Sequence, residues 1–258
     1  EKSGDPERIV PLLVPCLHDE PFAYLEALRD MFRNVGGLMF NSPPERDLAL
    51  RLYGLAPDRC SVVGMGMDPF DADPASFARS RGLSAPYVIY CGRREPGKGT
   101  PLLLDYMTAF RARTGRDIKL VVTGSGHMDI PEELAPHVLD AGFLPEREKR
   151  DAMAGAVAFC HPSRNESFSI VIMESWLAGT PALVTGGSEV MKHHCRIGNG
   201  GLWFGTYPEF EEELLLLADD PKLRTALASA GRDYVAREYS WHAIGSRLLR
   251  ALDGNISS

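Results

Sequence analysis

Short apolar runs alternate with longer amphipathic stretches along most of the chain. The runs are rich in β-branched and aromatic residues, which is typical of strands buried on both faces of a sheet. They predict strands at 87–91, 118–123, 138–141, 156–160, 182–184 and 202–204. The amphipathic stretches predict helices at 101–114, 146–154, 168–178, 189–194, 208–218 and 221–238. This alternation is typical of a doubly wound parallel sheet with helices on both faces.

Residues 1–85 carry a weaker version of the same pattern. It predicts strands at 9–14, 37–41 and 60–65, and helices at 22–32 and 43–53. Ser42 and Pro43 form a typical helix start, whereas Pro11 argues against a fully paired central strand around it. The segment 69–86 is rich in Pro, Asp, Ala and Ser, which predicts a linker. We therefore expect two α/β domains of unequal size.

Composition and charge narrow the functional classes. The 258 residues are 44% hydrophobic and carry a formal net charge of −7, which argues against a nucleic-acid binder because such proteins need a basic surface. A local basic patch for peripheral membrane contact stays compatible with that charge, although no apolar run reaches the ~18 residues that a membrane span needs. The five cysteines form no CxxC pair, so we expect free thiols in the reducing cytoplasm. No ligand cluster accompanies His193, His194 and Cys195, and no metal site is predicted.

Two carboxylates lie eight positions apart around a predicted strand-to-helix turn. Glu166 precedes the helix predicted at 168–178, and Glu174 lies about two turns into it. Residues at this spacing fall within roughly 80° of each other on a helix, so both can face one cleft beside the helix N-terminus, where a phosphate can bind. The alternative is an acid that favours the helix dipole together with a surface glutamate. This motif alone does not decide between them.

A glycine-rich basic loop follows the strand predicted at 87–91. Gly92 begins the loop, and Arg93 and Lys98 place two cations in it. Open α/β sheets bind ligands at the carboxyl ends of their strands, and a guanidinium beside an ammonium group suits a diphosphate. The alternative is a solvated basic turn.

In their order and spacing, the two motifs resemble the donor site of the retaining GT-B glycosyltransferases of family 4, the glycosyl transferases group 1. The resemblance covers nearly the whole C-terminal half of the chain. The segments that carry it are Gly92-Arg93, Lys98-Gly99, the Glu166/Glu174 pair, Ala178-Gly179-Thr180-Pro181, Gly142-Phe143-Leu144 at the place of the family's nucleotide-base loop, and Tyr239-Ser240-Trp241 at the start of its closing helix. In one departure, Ser167 and Ser169 stand where many members carry glycine.

The resemblance implies a GT-B fold of the α/β class. It implies a partial Rossmann-like, acceptor-side domain at 1–75 and a complete Rossmann-like domain at 76–238 that binds the nucleotide sugar. A C-terminal helix at 239–258 is expected to pack back on the N-terminal domain. The family's N-terminal domain is larger than residues 1–75 can form, so we expect a preceding N-terminal segment or a partner chain to complete the acceptor side.

Function and site residues follow from the same resemblance. The family moves a sugar from a nucleoside diphosphate to an acceptor hydroxyl with retention of configuration, usually without a metal. The implied catalytic residues are Arg93, Lys98 and Glu166, of which the two cations stabilise the charge that grows on the diphosphate. The implied donor-binding residues are Gly92, Phe143, Leu144, Ser167, Phe168, Ser169, Ile170 and Glu174. No cofactor is expected; the donor is a UDP- or GDP-sugar, and the acceptor is a carbohydrate, a lipid-linked molecule or a small molecule in glycan or glycolipid synthesis.

Other interpretations stay open at this point. A non-catalytic subunit would keep the nucleotide-sugar pocket and need a partner chain for the acceptor half, whereas the intact donor residues favour the enzyme. An epimerase or a phosphorylase on the same fold is a third interpretation, but no lysine can be assigned to the pyridoxal phosphate of a phosphorylase. His18 follows the first predicted strand and is a candidate cleft contact; its alternative role is in a helix-start turn.

Overall fold

A computed structural model of the protein describes residues 10–256. The chain forms two parallel β-sheets. The smaller sheet has three strands in the order β1-β2-β3, which are Leu12–Leu13, Gly37–Phe40 and Cys60–Val62. The larger has six strands, β4 to β9, which are Tyr87–Cys91, Lys119–Thr123, Val138–Gly142, Ala158–His161, Ala182–Thr185 and Gly201–Phe204. The predicted α/β class with parallel sheets is confirmed.

The larger sheet has the strand order β6-β5-β4-β7-β8-β9. This is the doubly wound order of nucleotide-binding folds, in which chain direction across the sheet reverses between the first and fourth strands. Here the reversal lies between β4 and β7, which are paired in parallel. Ligands of such sheets bind beyond the carboxyl ends of these two strands. The two motifs singled out by the sequence follow β4 and β7 directly.

Helices connect the strands of both sheets. They are α1 to α10, at Glu26–Asn34, Pro43–Tyr53, Ser76–Arg81, Thr100–Thr114, Glu146–Ala154, Ile170–Ala178, Glu189–Gly198, Tyr207–Asp219, Pro221–Glu238 and Trp241–Ile256. Side chains of β4 point alternately into two apolar clusters. Ile89 belongs to one and Val88 and Tyr90 to the other, so the sheet is buried on both faces.

Hydrogen bonds join the smaller sheet to the larger one. The Ser42 hydroxyl, at the N-terminus of α2, donates to the Ser167 carbonyl at 2.7 Å. The Asn165 amide donates to Glu20 Oε1 at 2.9 Å. Both contacts connect the first part of the chain to the loop between β7 and α6, which carries Glu166. The loop is therefore bonded to the part of the chain that carries the smaller sheet.

The last helix begins against the end of the smaller sheet. A side chain at Gly66 would lie 2.5 Å from the Trp241 ring, and one at Gly64 would lie 3.0 Å from the Tyr239 ring. The Met67 amide donates to the Tyr239 carbonyl at 2.7 Å. These glycines let the aromatic start of α10 rest directly on the backbone that leaves β3.

Several predicted boundaries are wrong. The segment 69–86 is not a plain linker, because α3 lies within it and its Phe77 is buried against the Tyr87 ring at 6.2 Å. The helix predicted at 22–32 is a 3₁₀ turn at Pro21–Tyr24 followed by α1, since Leu25 between them is extended. The strand at 9–14 is shortened to β1, and residue 9 lies outside the described residues.

Other differences concern one end of a strand or helix. The strand predicted at 60–65 ends at Val62, and α7 continues beyond 194 to Gly198. The helix predicted at 168–178 begins only at Ile170, because Ser169 is left-handed with φ 66°. Within residues 10–256, no helix is both long and apolar enough to cross a membrane.

Candidate active site

The loops after β4 and β7 approach each other closely at one glycine. Gly99 has φ 72°, and a Cβ built on it would lie 2.6 Å from the Pro162 carbonyl oxygen. Only a residue without a side chain fits there without moving the backbone. Gly99 follows Lys98, and Pro162 begins the loop that carries Glu166. This close approach therefore brings the basic loop of the first motif to the acidic loop of the second.

Lys98 and Glu166 form an ion pair at this junction. Lys98 Nζ lies 2.8 Å from Glu166 Oε1, and the two side chains are only 21% and 11% exposed. Burial alone would raise the pKa of Glu166, but the hydrogen bond from His161 and the charge of Lys98 outweigh it and lower the pKa to about 2. Glu166 is therefore ionised at neutral pH and can accept hydrogen bonds from hydroxyl groups.

His161 is a member of this cluster that the sequence analysis missed. Its Nε2 lies 3.2 Å from Glu166 Oε1, and its ring stacks between Tyr90 and Phe159 with centroids 5.6 and 5.4 Å away. Its Nδ1 is buried and has no hydrogen-bond partner among the described residues. A proton on Nε2 satisfies this arrangement, since Nε2 then donates to the carboxylate. The available signal was its position at the carboxyl end of a buried strand.

Arg93 lies apart from this cluster. Its side chain is 67% exposed and pairs with Glu95 at 3.3 Å, while its carbonyl accepts a hydrogen bond from the Tyr90 hydroxyl at 2.6 Å. The next residue, Arg94, is mostly buried and donates to the Gly124 carbonyl at 3.0 and 2.6 Å. Arg94 therefore fixes the loop, whereas the Arg93 guanidinium lies exposed beside Glu95.

Glu174 forms an ion pair with a second lysine. Lys149 Nζ is 2.9 Å from Glu174 Oε1 and 2.9 Å from Glu146 Oε1. Burial would lower the pKa of Lys149, but its bonds to the two carboxylates outweigh it and raise that pKa. Glu174 Oε2 is buried and has no hydrogen-bond partner among the described residues. The two carboxylates of the motif thus have separate cationic partners, and Lys149 is a second residue that sequence reasoning missed.

The start of α6 presents its backbone beside Glu166. Ser169 is left-handed and 6% exposed, and Ile170 begins the helix with a side chain that is 42% exposed. The first amides of a helix have no partner within the helix and attract anions. The Ser167 carbonyl is taken by Ser42. The Phe168 side chain is buried against the rings of His194 and Tyr239, so it contributes packing.

The loop predicted to contact the nucleotide base has one buried and one exposed side chain. Phe143 is 81% exposed, whereas Leu144 is 4% exposed and packs in the core. Gly92, at the start of the basic loop, lies against Gly124, which follows β5. The contact is so close that a Cβ on Gly124 would lie 1.9 Å from the Gly92 carbonyl oxygen. The carboxyl ends of β4, β5 and β6 therefore meet around these loops.

A cleft of about 520 Å³ opens between α2 and α7, and Glu166 is among its lining residues. Its lining includes His18, which lies 2.6 Å from Glu20 and edge-on to Phe22. Glu45 lies at the base of the cleft and accepts from the Leu17 and Asn41 amides at 2.5 and 2.6 Å. Within residues 10–256, no group of three or more metal-binding side chains could hold a metal ion.

The comparisons with known proteins agree with this architecture. The profile of the family described as "Glycosyl transferases group 1" matches residues 74–234. A D-inositol 3-phosphate glycosyltransferase of Saccharomonospora viridis is 30% identical over 237 residues, which cover 82% of this chain and 54% of the relative. A phosphatidyl-myo-inositol mannosyltransferase of Mycobacterium leprae is 29% identical over 174 residues, 64% of this chain and 46% of the relative. The chain spans about half the length of these relatives.

Solved structures share the fold at low sequence identity. HepE of Anabaena, in complex with UDP, superposes with a TM-score of 0.78 at 17% identity, over 94% of this chain and 71% of HepE. TarM of S. aureus superposes with a TM-score of 0.75 at 13% identity, over 93% of this chain and 50% of TarM. With the family match over residues 74–234, these results show that the chain belongs to the glycosyl transferases group 1, the GT-B glycosyltransferases of family 4.

Proposed function

We propose that this chain takes part in the transfer of a sugar from a UDP- or GDP-sugar to an acceptor hydroxyl, with retained configuration and without a metal. The observation that carries the proposal is the contact of Lys98, Glu166 and His161 at the strand reversal between β4 and β7. It places a cation and an ionised carboxylate side by side where such folds bind nucleotides.

In this proposal Lys98 stabilises the leaving diphosphate. The bond between the sugar and the diphosphate breaks with growing negative charge on the phosphate oxygens, and a preorganised ammonium group favours that state over the ground state. Arg93 turns from Glu95 to the same diphosphate, since its side chain is 67% exposed. The amides of Ser169 and Ile170 add donors at the start of α6.

Glu166 and Glu174 hold the two sugar units of the donor. The ionised Glu166 accepts from hydroxyls of the transferred sugar while Lys98 and His161 hold it in place. The free Oε2 of Glu174 accepts from a ribose hydroxyl, and the exposed Phe143 contacts the base. Relatives are named for a D-inositol 3-phosphate and for a GDP-mannose reaction, and HepE binds UDP, so both bases stay in the proposal. We place the reaction in glycan or glycolipid synthesis on the cytoplasmic side.

The test measures binding and turnover separately. The dissociation constants of a panel of UDP- and GDP-sugars are measured by calorimetry in the presence of EDTA, together with nucleotide release with and without acceptors. Lys98→Ala is expected to reduce turnover more than binding, because the charge that it stabilises develops as the bond breaks. Lys222→Ala, an exposed lysine on α9, is the matched control and should change neither.

Two results would change the proposal. If no nucleotide sugar binds, the donor assignment fails. If one binds without any turnover, and turnover appears when a longer N-terminal region is supplied, the chain is the nucleotide-sugar-binding half that needs a partner segment for the acceptor.

A further inference from the structure

Serine precedes the first residue of four helices, and Ser169 differs from the other three. The hydroxyls of Ser42, Ser188 and Ser240 each accept a hydrogen bond from an amide in the first turn of α2, α7 and α10. Ser169 precedes α6 with φ 66° and ψ 73°, and its side chain makes no such bond. A serine at this position normally serves the helix amides. Helix capping therefore does not account for Ser169.

The left-handed backbone of Ser169 is unfavourable for a residue with a side chain. In this conformation a Cβ crowds the following carbonyl oxygen, whereas glycine has no Cβ to crowd it. Among residues 10–256, Cys16 and Asn199 are the other non-glycine residues with positive φ, at 50° and 47°. Asn199 follows the end of α7, where a left-handed asparagine is a known cap. Serine at position 169 is thus expected to lower the stability of the chain relative to glycine.

The hydroxyl of Ser169 is buried and lacks a hydrogen-bond partner. The residue is 6% exposed, and Oγ has no donor or acceptor among the described residues. A buried hydroxyl without a partner is unfavourable, and alanine or glycine at this position would avoid that cost. The hydroxyl therefore serves neither the helix nor the described surroundings, which points to a partner on a ligand.

The position of the hydroxyl decides which ligand group suits it. Ser169 stands at the N-terminus of the nine-residue helix α6, where the first amides lack partners within the helix and the dipole is positive. The Ser169 carbonyl already accepts from the Ile172 amide at 3.2 Å. The hydroxyl thus lies beside groups that can only donate. An oxyanion accepts from several donors at once and is favoured by the dipole.

We propose that the Ser169 hydroxyl donates a hydrogen bond to a phosphate oxygen of a nucleoside diphosphate at the start of α6. The nucleoside diphosphate rests on the proposed function, and the hydroxyl adds a side-chain donor to the backbone donors named there. Hydrogen bonds to charged oxygens are stronger than those between neutral groups. The bound phosphate thereby offsets the strain and the burial of the hydroxyl. Ser169 is then a binding residue that lowers the stability of the chain without ligand.

The test replaces Ser169 by alanine and by glycine. Both variants keep the backbone amide and lose the hydroxyl, so they separate the side chain from the helix N-terminus. S169G also removes the left-handed strain, and it should unfold at a higher urea concentration than the unaltered chain and than S169A. Calorimetry should show that both variants bind the nucleotide at least about tenfold more weakly, because the lost bond is to a charged group. The nucleotide is UDP or GDP, whichever the unaltered chain binds more tightly.

Asn199→Gly is the matched control for the change in backbone strain. Asn199 is left-handed like Ser169, but it is exposed and follows the C-terminal end of α7. N199G should bind the nucleotide as the unaltered chain does. Inorganic pyrophosphate and the free nucleoside, measured on the same proteins, locate the lost contact. S169A should weaken pyrophosphate binding by the same factor and leave nucleoside binding unchanged.

Several results would overturn the proposal. Either variant of Ser169 could bind the diphosphate as tightly as the unaltered chain, or lose nucleoside affinity to the same extent. A loss confined to nucleotide sugars, with UDP, GDP and pyrophosphate unaffected, would place the hydroxyl on the transferred sugar instead of the phosphate. An S169G variant that is less stable than the unaltered chain would show that the hydroxyl serves the fold.

The unaltered chain separates this proposal from the proposed function. If it binds a nucleotide and both variants of Ser169 bind equally well, the assignment of Ser169 fails alone. If it binds pyrophosphate but no nucleotide or nucleotide sugar, and S169A weakens that binding, the phosphate contact stands and the donor assignment fails. If it binds none of these compounds, both fail.

Discussion

Single residues decide how the two carboxylates of the site differ. Glu166 is bound by a lysine and a histidine on one oxygen, and its pKa is lowered to about 2. Glu174 shares Lys149 with Glu146 and keeps one buried oxygen without a partner. A buried acceptor without a donor is costly. A ligand hydroxyl that reached this oxygen would remove that cost, which is why Glu174 suits a sugar or ribose contact.

This difference leads to a prediction for Glu174. Replacement by Gln keeps the shape but removes the charge and one acceptor oxygen. We expect Glu174→Gln to weaken nucleotide binding about tenfold, since a hydrogen bond to a charged group contributes about 1.5 kcal/mol or more. Calorimetry with UDP and GDP provides the measurement. Glu146→Gln is the matched control, because Glu146 contacts the same lysine but is 60% exposed. Equal losses in the two variants would assign the effect to Lys149 rather than to Glu174.

At the scale of elements, the sequence predicted the strands of the larger sheet well. Runs such as 87–91 and 182–184 are buried on both faces, so their apolar character follows from local burial alone. The helix at 168–178 was predicted two residues too long, because the left-handed Ser169 depends on the loop before it. The helix α3 was missed since only its Phe77 marks it as a packed element.

The site residues were missed for a related reason, because a local sequence pattern does not show which side chains meet in the folded chain. The motifs around Gly92 and Glu166 are contiguous in sequence, so their proximity could be inferred from where they follow strands. His161 ends β7 and reaches Glu166 five residues later, because the loop turns back toward the strand end. Lys149 reaches Glu174 from another helix, and that contact depends on the packing of α5 against α6. No local pattern of hydrophobic and polar residues encodes such contacts.

Two glycines at the ends of α4 allow a test of how the loops are joined. Gly99 and Gly115 have nearly the same φ, 72° and 65°. A Cβ on Gly99 would meet the Pro162 carbonyl oxygen at 2.6 Å, whereas nothing lies within 4 Å of one on Gly115. Gly115→Ala is expected to lower the free energy of unfolding by about 1 kcal/mol through left-handed strain. Gly99→Ala should lose a further ~1–3 kcal/mol from the clash.

Urea unfolding measures the two losses, and nucleotide affinity measures their effect on the site. Gly99→Ala should also weaken nucleotide binding, since it separates Lys98 from Glu166, whereas Gly115→Ala should leave it unchanged. Equal stabilities of the two variants would show that the loops relax around the added methyl group, and that the close approach does not hold the ion pair.

At the scale of the whole molecule, the smaller sheet and the larger one share a boundary built from α2. Ser42 at its start donates to the loop of Glu166, and Glu45 in its first turn accepts from the ends of two chain segments. Glu45 is 1% exposed, and no cation pairs with it among the described residues. Burial raises its pKa to about 7 against the opposing effect of its backbone hydrogen bonds. The boundary between the sheets therefore contains a group that titrates near neutral pH.

The raised pKa of Glu45 makes stability depend on pH in a defined direction. The folded chain keeps the proton up to about pH 7, while the unfolded chain releases it near 4.5. The free energy of unfolding is thus highest below pH 4.5 and falls as the pH rises through 7, by about 3 kcal/mol for this group. Glu213 on α8 has a pKa raised to about 7, by burial and by the charge of Glu209, and adds a decline in the same window.

Urea unfolding between pH 4.5 and 8 separates the two carboxyls. Glu45→Gln and Glu213→Gln should each flatten part of the decline, and the double variant should flatten the sum, because the two groups lie on different elements and share no partner among the described contacts. The readout is the slope of the unfolding free energy against pH. A variant that is less stable at every pH can therefore still be compared with the unaltered chain. A Glu45→Gln variant that keeps the full slope would show that the two backbone amides hold Glu45 ionised across this range. In that case the boundary between the sheets would carry a negative charge at the base of the cleft throughout this pH range.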